Sequence, residues 1–144
     1  MNPFFNGNND DKDKDEDQQN QIFPFLPPNY AVVVNAQGNV KINKVGFSYT
    51  SLFFGILPAI MRADWYNLAC MVGVESFFAM LLTYITGMDL SASFKSLGLF
   101  FEILWGAIYN LMYFRHLQNK GYIPENENSK NLLFKNHYFK KITK

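Results

Sequence analysis

The sequence predicts an all-α membrane protein: an antiparallel transmembrane helical hairpin, preceded by an interfacial or re-entrant helix and a short N-terminal β-hairpin. Three observations predict it. Apolar runs follow one another through the middle of the 144-residue chain. None of them carries the charged stripe that a water-facing amphipathic helix needs. And charge is segregated: residues 1–20 hold six acids and two lysines, residues 21–114 balance four bases against four acids, and residues 115–144 hold seven bases and two acids. An acidic head, an apolar middle and a basic tail suit a chain whose parts meet different surroundings. The length fits one domain of ordinary size.

The elements follow in order. Asn6–Gln21, "NGNNDDKDKDEDQQNQ", has no apolar side chain. It cannot bury enough surface to offset its ordering entropy, so residues 1–29 are expected to be a disordered acidic tail ending in a proline-rich connector, "FPFLPP". No basic stretch followed by an apolar core opens the chain, so no signal peptide is expected. Residues 30–44 read as a β-hairpin: a β-branched run at Ala31–Val34, turn residues in "NAQGN", then alternation. An isolated hairpin is marginal in water and must lean on something.

Three apolar runs come next: Val45–Met61 (17 residues), Leu68–Met88 (21 residues) and Leu97–Phe114 (18 residues). A hydrocarbon core about 30 Å thick needs roughly 20 helical residues. The second and third runs therefore read as spans, at about 68–88 and 97–114 within a hairpin of residues 67–115. The linker "DLSASFKS" favours antiparallel packing. Basic residues prefer the cytosolic side, which places the tail, residues 116–144, inside. Two spans then put Arg62 inside as well. The first run, within residues 45–66, is short, polar in places and interrupted by Pro58, which favours an interfacial or re-entrant helix. The alternative is a three-span chain with its N-terminus outside. "RADW" reads as a headgroup-level turn, with Trp65 and Tyr66 as interface anchors. The basic tail has the composition of a short amphipathic helix on anionic lipid.

Charged side chains at membrane depth are costly and turn toward protein or water. With Met88 level with Leu97, Glu75 falls level with Asn110 and Thr83 with Glu102. Glu75, Thr83, Glu102 and Asn110 thus form an expected polar seam, hydrogen-bonded across closely approaching helices. A proton or cation pathway through the two glutamates, or a glutamate facing another protein, are the other readings.

No catalytic constellation is visible, and no phosphate loop, nucleophile elbow or CxxC occurs. His116 and His137 have no second ligand at metal spacing, and the N-terminal acids lack an EF-hand's glycine and spacing. The lone Cys70 reads as a small buried hydrophobe. No catalytic residue, metal or cofactor is expected. The expected partners are the lipid bilayer and another membrane protein or a second copy; a net charge of +5 over thirty residues is too modest to favour nucleic acid.

"KVGFSYTSLFFGILPAIMRADW" and, after the two helices, "YNLMYFRHLQNKGYIP" resemble a family of small bacterial membrane proteins of unknown function, the HrgC-like proteins, over about Val33–Pro124. The matching positions include Gly46, Phe47, Ser48, Gly55, Pro58, Arg62, Asp64 and Trp65, then Asn110, Gly121, Tyr122 and Pro124. The resemblance implies residence in the bacterial cytoplasmic membrane and implies no activity, cofactor or substrate. The function expected is that of a small multi-pass membrane protein acting by contact. An oligomeric pore, transporter subunit or holin-like permeabilising protein is the alternative, and a membrane-bound enzyme a distant third.

Overall fold

The structure is a computed structural model that describes residues 26–140. The expectation of a disordered acidic tail falls, up to residue 25, outside the described residues. The chain is mostly helical, with two long apolar helices and a small three-stranded antiparallel sheet. Its elements are β1 (Tyr30–Val34), β2 (Val40–Lys44), α1 (Tyr49–Phe54), α2 (Leu57–Met61), α3 (Trp65–Thr86), α4 (Leu90–Asn119), β3 (Ile123–Pro124) and α5 (Glu127–Lys135).

The hairpin forms where its turn chemistry lies. Asn35 Oδ1 accepts from the amides of Gln37 (3.1 Å) and Asn39 (2.8 Å), and Gly38 takes the positive φ of 80° that closes the loop. The strands pair with Val32 opposite Ile42. A third strand, absent from the sequence expectation, adds Pro124 opposite Val33, so the order is β2-β1-β3. A proline is tolerated there because β3 is an edge. β1 is the centre of the sheet, and Ala31, Val32 and Val33 are all buried, as expected of a strand covered on both faces.

Within the basic tail the expected short amphipathic helix forms, but its apolar face is turned to protein. α5 lies on β1, with Asn126 capping its N-terminus and Leu133 buried. Beyond it Tyr138 and Phe139 pack on Phe114, with ring centroids 5.7 and 6.4 Å away. Its apolar face is satisfied by protein, so it needs no lipid. Ser129 Oγ accepts the Val32 amide across 97 residues at 2.9 Å, in a buried position. Ser129→Ala should leave that amide unpaired and cost about 1–3 kcal/mol. A thermal melt of the purified protein checks it, and an unchanged midpoint would refute it.

α3 and α4 form an antiparallel hairpin, but with boundaries that differ from the expected ones. The presumed linker is helical: α4 starts at Leu90 and runs 30 residues, so only Gly87–Asp89 connect the two helices. Gly87 ends α3 in the left-handed conformation (φ 70°) and its amide returns to the Thr83 carbonyl at 2.9 Å. The short turn shifts the register. Thr83 Oγ1 meets Ser93 Oγ at 2.9 Å rather than Glu102, and Trp105 Nε1 donates to Glu75 Oε1 at 2.6 Å where Asn110 was expected.

The first apolar run is two short helices rather than one. Gly55, at φ 54°, breaks it, and Pro58 sits in the first turn of α2, where its missing N–H costs nothing. α1 packs along α4, and α2 folds back against α1 and the start of α3, so the pair forms a helical loop. Its two ends meet at one residue: the Gly46 carbonyl and the Arg62 guanidinium both bond the Asn110 side chain. Its tip, around Phe53–Ile56, reaches the level of Phe94 and Gly98, three turns along α4 toward the α3–α4 turn.

Polar packing and apolar exposure are separated along the molecule. The sheet, α5 and the ends of α3 and α4 share a core that includes Val33, Tyr109, Phe114 and Leu133. Toward the α3–α4 turn the surface is apolar. Both long helices have the length and composition to cross a membrane, yet only 11% of the most apolar stretch of α3 and 39% of that of α4 are buried.

Candidate functional site

Two polar features stand against this apolar background. The first is a hub at Asn110, a residue of α4 that is 2% exposed. Its Oδ1 accepts from Asn43 Nδ2 (3.2 Å) and from Arg62 Nη1 (3.3 Å), and its Nδ2 donates to the Gly46 carbonyl (2.9 Å). The Gly46 amide in turn donates to Tyr138 Oη at 2.8 Å. The guanidinium of Arg62 lies 5.2 Å from the ring centre of Tyr109 and 5.1 Å from that of Tyr113, within cation–π range. One amide side chain therefore ties together β2, both ends of the α1–α2 loop and α4. An amide suits this task because it both donates and accepts.

Next to the hub, Asp64 is buried at 2% exposure. Its Oδ2 accepts from Asn67 Nδ2 at 2.7 Å, whereas Oδ1 has no hydrogen-bond partner among the described residues. His116 Nε2 stands 3.8 Å from it, too far for a hydrogen bond, and the imidazole stacks on Tyr66 at 5.0 Å. Trp65 and Tyr66 are 65% and 63% exposed at this same end of the hairpin.

The second feature is a cavity of about 360 Å³ between the tip of the α1–α2 loop and the two long helices. Aromatic walls come from Phe53, Phe94, Phe101 and Trp105, and the carboxylates of Glu75 and Glu102 both line it. Trp105 fixes Glu75 through its indole N–H. Glu102 is half-buried and has no hydrogen-bond or ion-pair partner among the described residues.

The four residues of the expected seam thus divide. Glu75 and Glu102 share the cavity, Thr83 pairs with Ser93 near the turn, and Asn110 serves the hub at the other end. The motif positions also separate. Gly46, Ser48, Arg62 and Asp64 lie at or beside the hub, and Ser48 caps α1 while donating its amide to the Gly106 carbonyl at 2.7 Å. Phe47 lies over Gly106, and Gly55 and Pro58 shape the loop. Gly121, at φ 82°, turns α4 into β3, Tyr122 is buried beside it, and Pro124 pairs with Val33. The sequence reading missed Asn43, Asn67, Trp105, Tyr109 and Tyr138. For Asn43 the pattern pointed the other way: Val40 and Ile42 are each 42% exposed and the asparagine between β2's lysines is buried. Among the described residues no group of three potential metal-ligating side chains comes together. Comparison with family models, curated proteins and solved structures finds no match.

Proposed function

We propose that the chain is a multi-pass membrane protein, akin to the small HrgC-like proteins of the bacterial cytoplasmic membrane, that acts through contacts with lipid and membrane partners and not by catalysis. In this reading α3 and α4 are the spans and the α1–α2 loop is a re-entrant element. The observation that carries it is the exposure of large apolar side chains on the face of α3 turned away from the rest of the protein: Phe77 is 63% exposed, Met80 61%, Tyr84 88% and Ile85 70%. In water such a surface would drive aggregation, whereas lipid solvates it. The 22 residues of α3 extend about 33 Å, which matches a hydrocarbon core of about 30 Å.

Polarity supports an orientation. Lys41, Lys44, Arg62, Arg115 and Lys120 belong to the sheet end, and the α3–α4 turn carries Asp89 and, one turn into α4, Lys95. The basic end would face the cytosol, with both termini inside. A re-entrant loop can hold an irregular backbone at depth only where protein covers it; α4 covers α1, and α3 flanks α2. Alkaline extraction of membranes should leave the chain in the pellet, and reporters fused to either terminus should both read cytosol. A monomer that stays in the supernatant without detergent would overturn the proposal.

A second reading is supported by the shared cavity of Glu75 and Glu102: an oligomeric pore or permeabilising protein. Depolarisation of cells on induced expression, lost in Glu75→Gln, would favour it.

A further inference from the structure

We propose that the cavity between the α1–α2 tip and the α3–α4 hairpin binds a lipophilic organic monocation, of the quaternary ammonium or phosphonium class. The inference goes beyond residence in a membrane and does not depend on which way the chain faces. Its lining combines two demands on a ligand. Two carboxylates contribute negative charge, and no lysine or arginine is among the lining residues. A cation is therefore the complementary ligand. The remaining walls are mostly aromatic, including Phe53, Phe94, Phe101 and Trp105, and aromatic rings can attract a cation without hydrating it.

Small inorganic cations fit this lining poorly. Divalent ions and alkali metals need several converging oxygen ligands, and among the lining residues only Glu75 and Glu102 carry side-chain oxygens. A cation with its charge spread under an apolar exterior is cheap to dehydrate and gains from both features. The volume of about 360 Å³ admits the body of such a compound. The two carboxylates would divide the work. Glu75 is held by the Trp105 indole at 2.6 Å and fixes the wall, while Glu102, without a partner among the described residues, is the one left to face the charge. Gly98 offers a way to fill the space, since a Cβ placed there meets nothing within 4 Å.

The chain has two tryptophans, so Trp65→Phe leaves Trp105 in the cavity wall as the only indole. This variant, solubilised in mild detergent, should be titrated with tetraphenylphosphonium and separately with the neutral triphenylphosphine oxide, following Trp105 emission. A saturable change is expected with the cation, with affinity for the neutral compound lower by about tenfold or more. Glu102→Gln in the same background should weaken cation binding by about tenfold, and Gly98→Leu should abolish it. A melting midpoint for each variant within a few degrees of the parent shows that the loss is local. Equal binding of the neutral compound, an unaltered affinity in Glu102→Gln, or no saturable signal from the intact parent would overturn the proposal.

Discussion

Asn110→Leu should lower the stability of the solubilised protein by roughly 3 kcal/mol or more. The substitution keeps the heavy-atom count and branching of the side chain but removes every bond that Asn110 makes in the hub. The Asn43 amide would be left buried without a partner, the Gly46 carbonyl would keep only the longer bond from Tyr138 Oη at 3.4 Å, and Arg62 would keep only its aromatic neighbours. An unpaired buried group costs its full desolvation, more when it is charged. The loss should be local as well as global. Loosened at both ends and held only by Tyr138 and the Gly106 carbonyl, the segment from Gly46 to Arg62 should become cleavable by protease while α3 and α4 stay protected. A thermal melt and limited proteolysis together read the effect, and a variant that melts and cleaves like the parent would show the hub to be energetically idle.

Substitutions at Gly106 should give a graded series. The loop crosses α4 at this residue, where the Ser48 amide reaches the Gly106 carbonyl at 2.7 Å. A Cβ added there would stand 2.8 Å from Phe47 Cζ and 3.2 Å from Leu52 Cβ. The phenyl ring can swing aside, so Gly106→Ala should cost only about 1 kcal/mol, partly offset by the higher helix propensity of alanine. Gly106→Leu has no such escape, because Leu52 Cβ is fixed to the backbone of α1. It should displace the α1–α2 loop and cost about 3 kcal/mol or more. Gly98→Ala, on the same helix with nothing within 4 Å of its added carbon, is the control and should melt at or slightly above the parent temperature. Equal midpoints for Gly106→Leu and Gly98→Ala would show that the crossing is not close-packed.

Local signals were legible in the sequence, and contacts across long separations were not. The β-hairpin could be read because its turn is written in adjacent residues, Asn35 to Asn39. The apolar lengths of α3 and α4 could be read because helix composition is local too. β3 could not: it is two residues long, contains a proline, and exists only because β1, ninety residues earlier, accepts it. The start of α4 was obscured by "DLSASFKS", whose polar look suggests a linker; Ser93 is in fact buried against Thr83. That error of a few residues in the turn moved the seam, so Glu75 was matched with Asn110 when its partner is Trp105. The break at Gly55 was hidden because a glycine in an apolar run has many uses, and Pro58 was read as interrupting a helix where it begins one. Of the candidate site, the residue types were visible but their division into a hub and a cavity was not, since that depends on the depth to which α1 descends along α4.

The bond from the Gly46 amide to Tyr138 has a consequence for how the molecule is made. A ribosome delivers the α1–α2 segment long before it delivers the helix carrying Asn110, and longer still before the phenol that completes the arrangement. The segment must therefore wait, half-docked, until the residues beyond α5 arrive and fasten it. Translation that stops short of Tyr138 would yield the two long helices with an unfastened loop, a species that a protease can tell apart from the finished one.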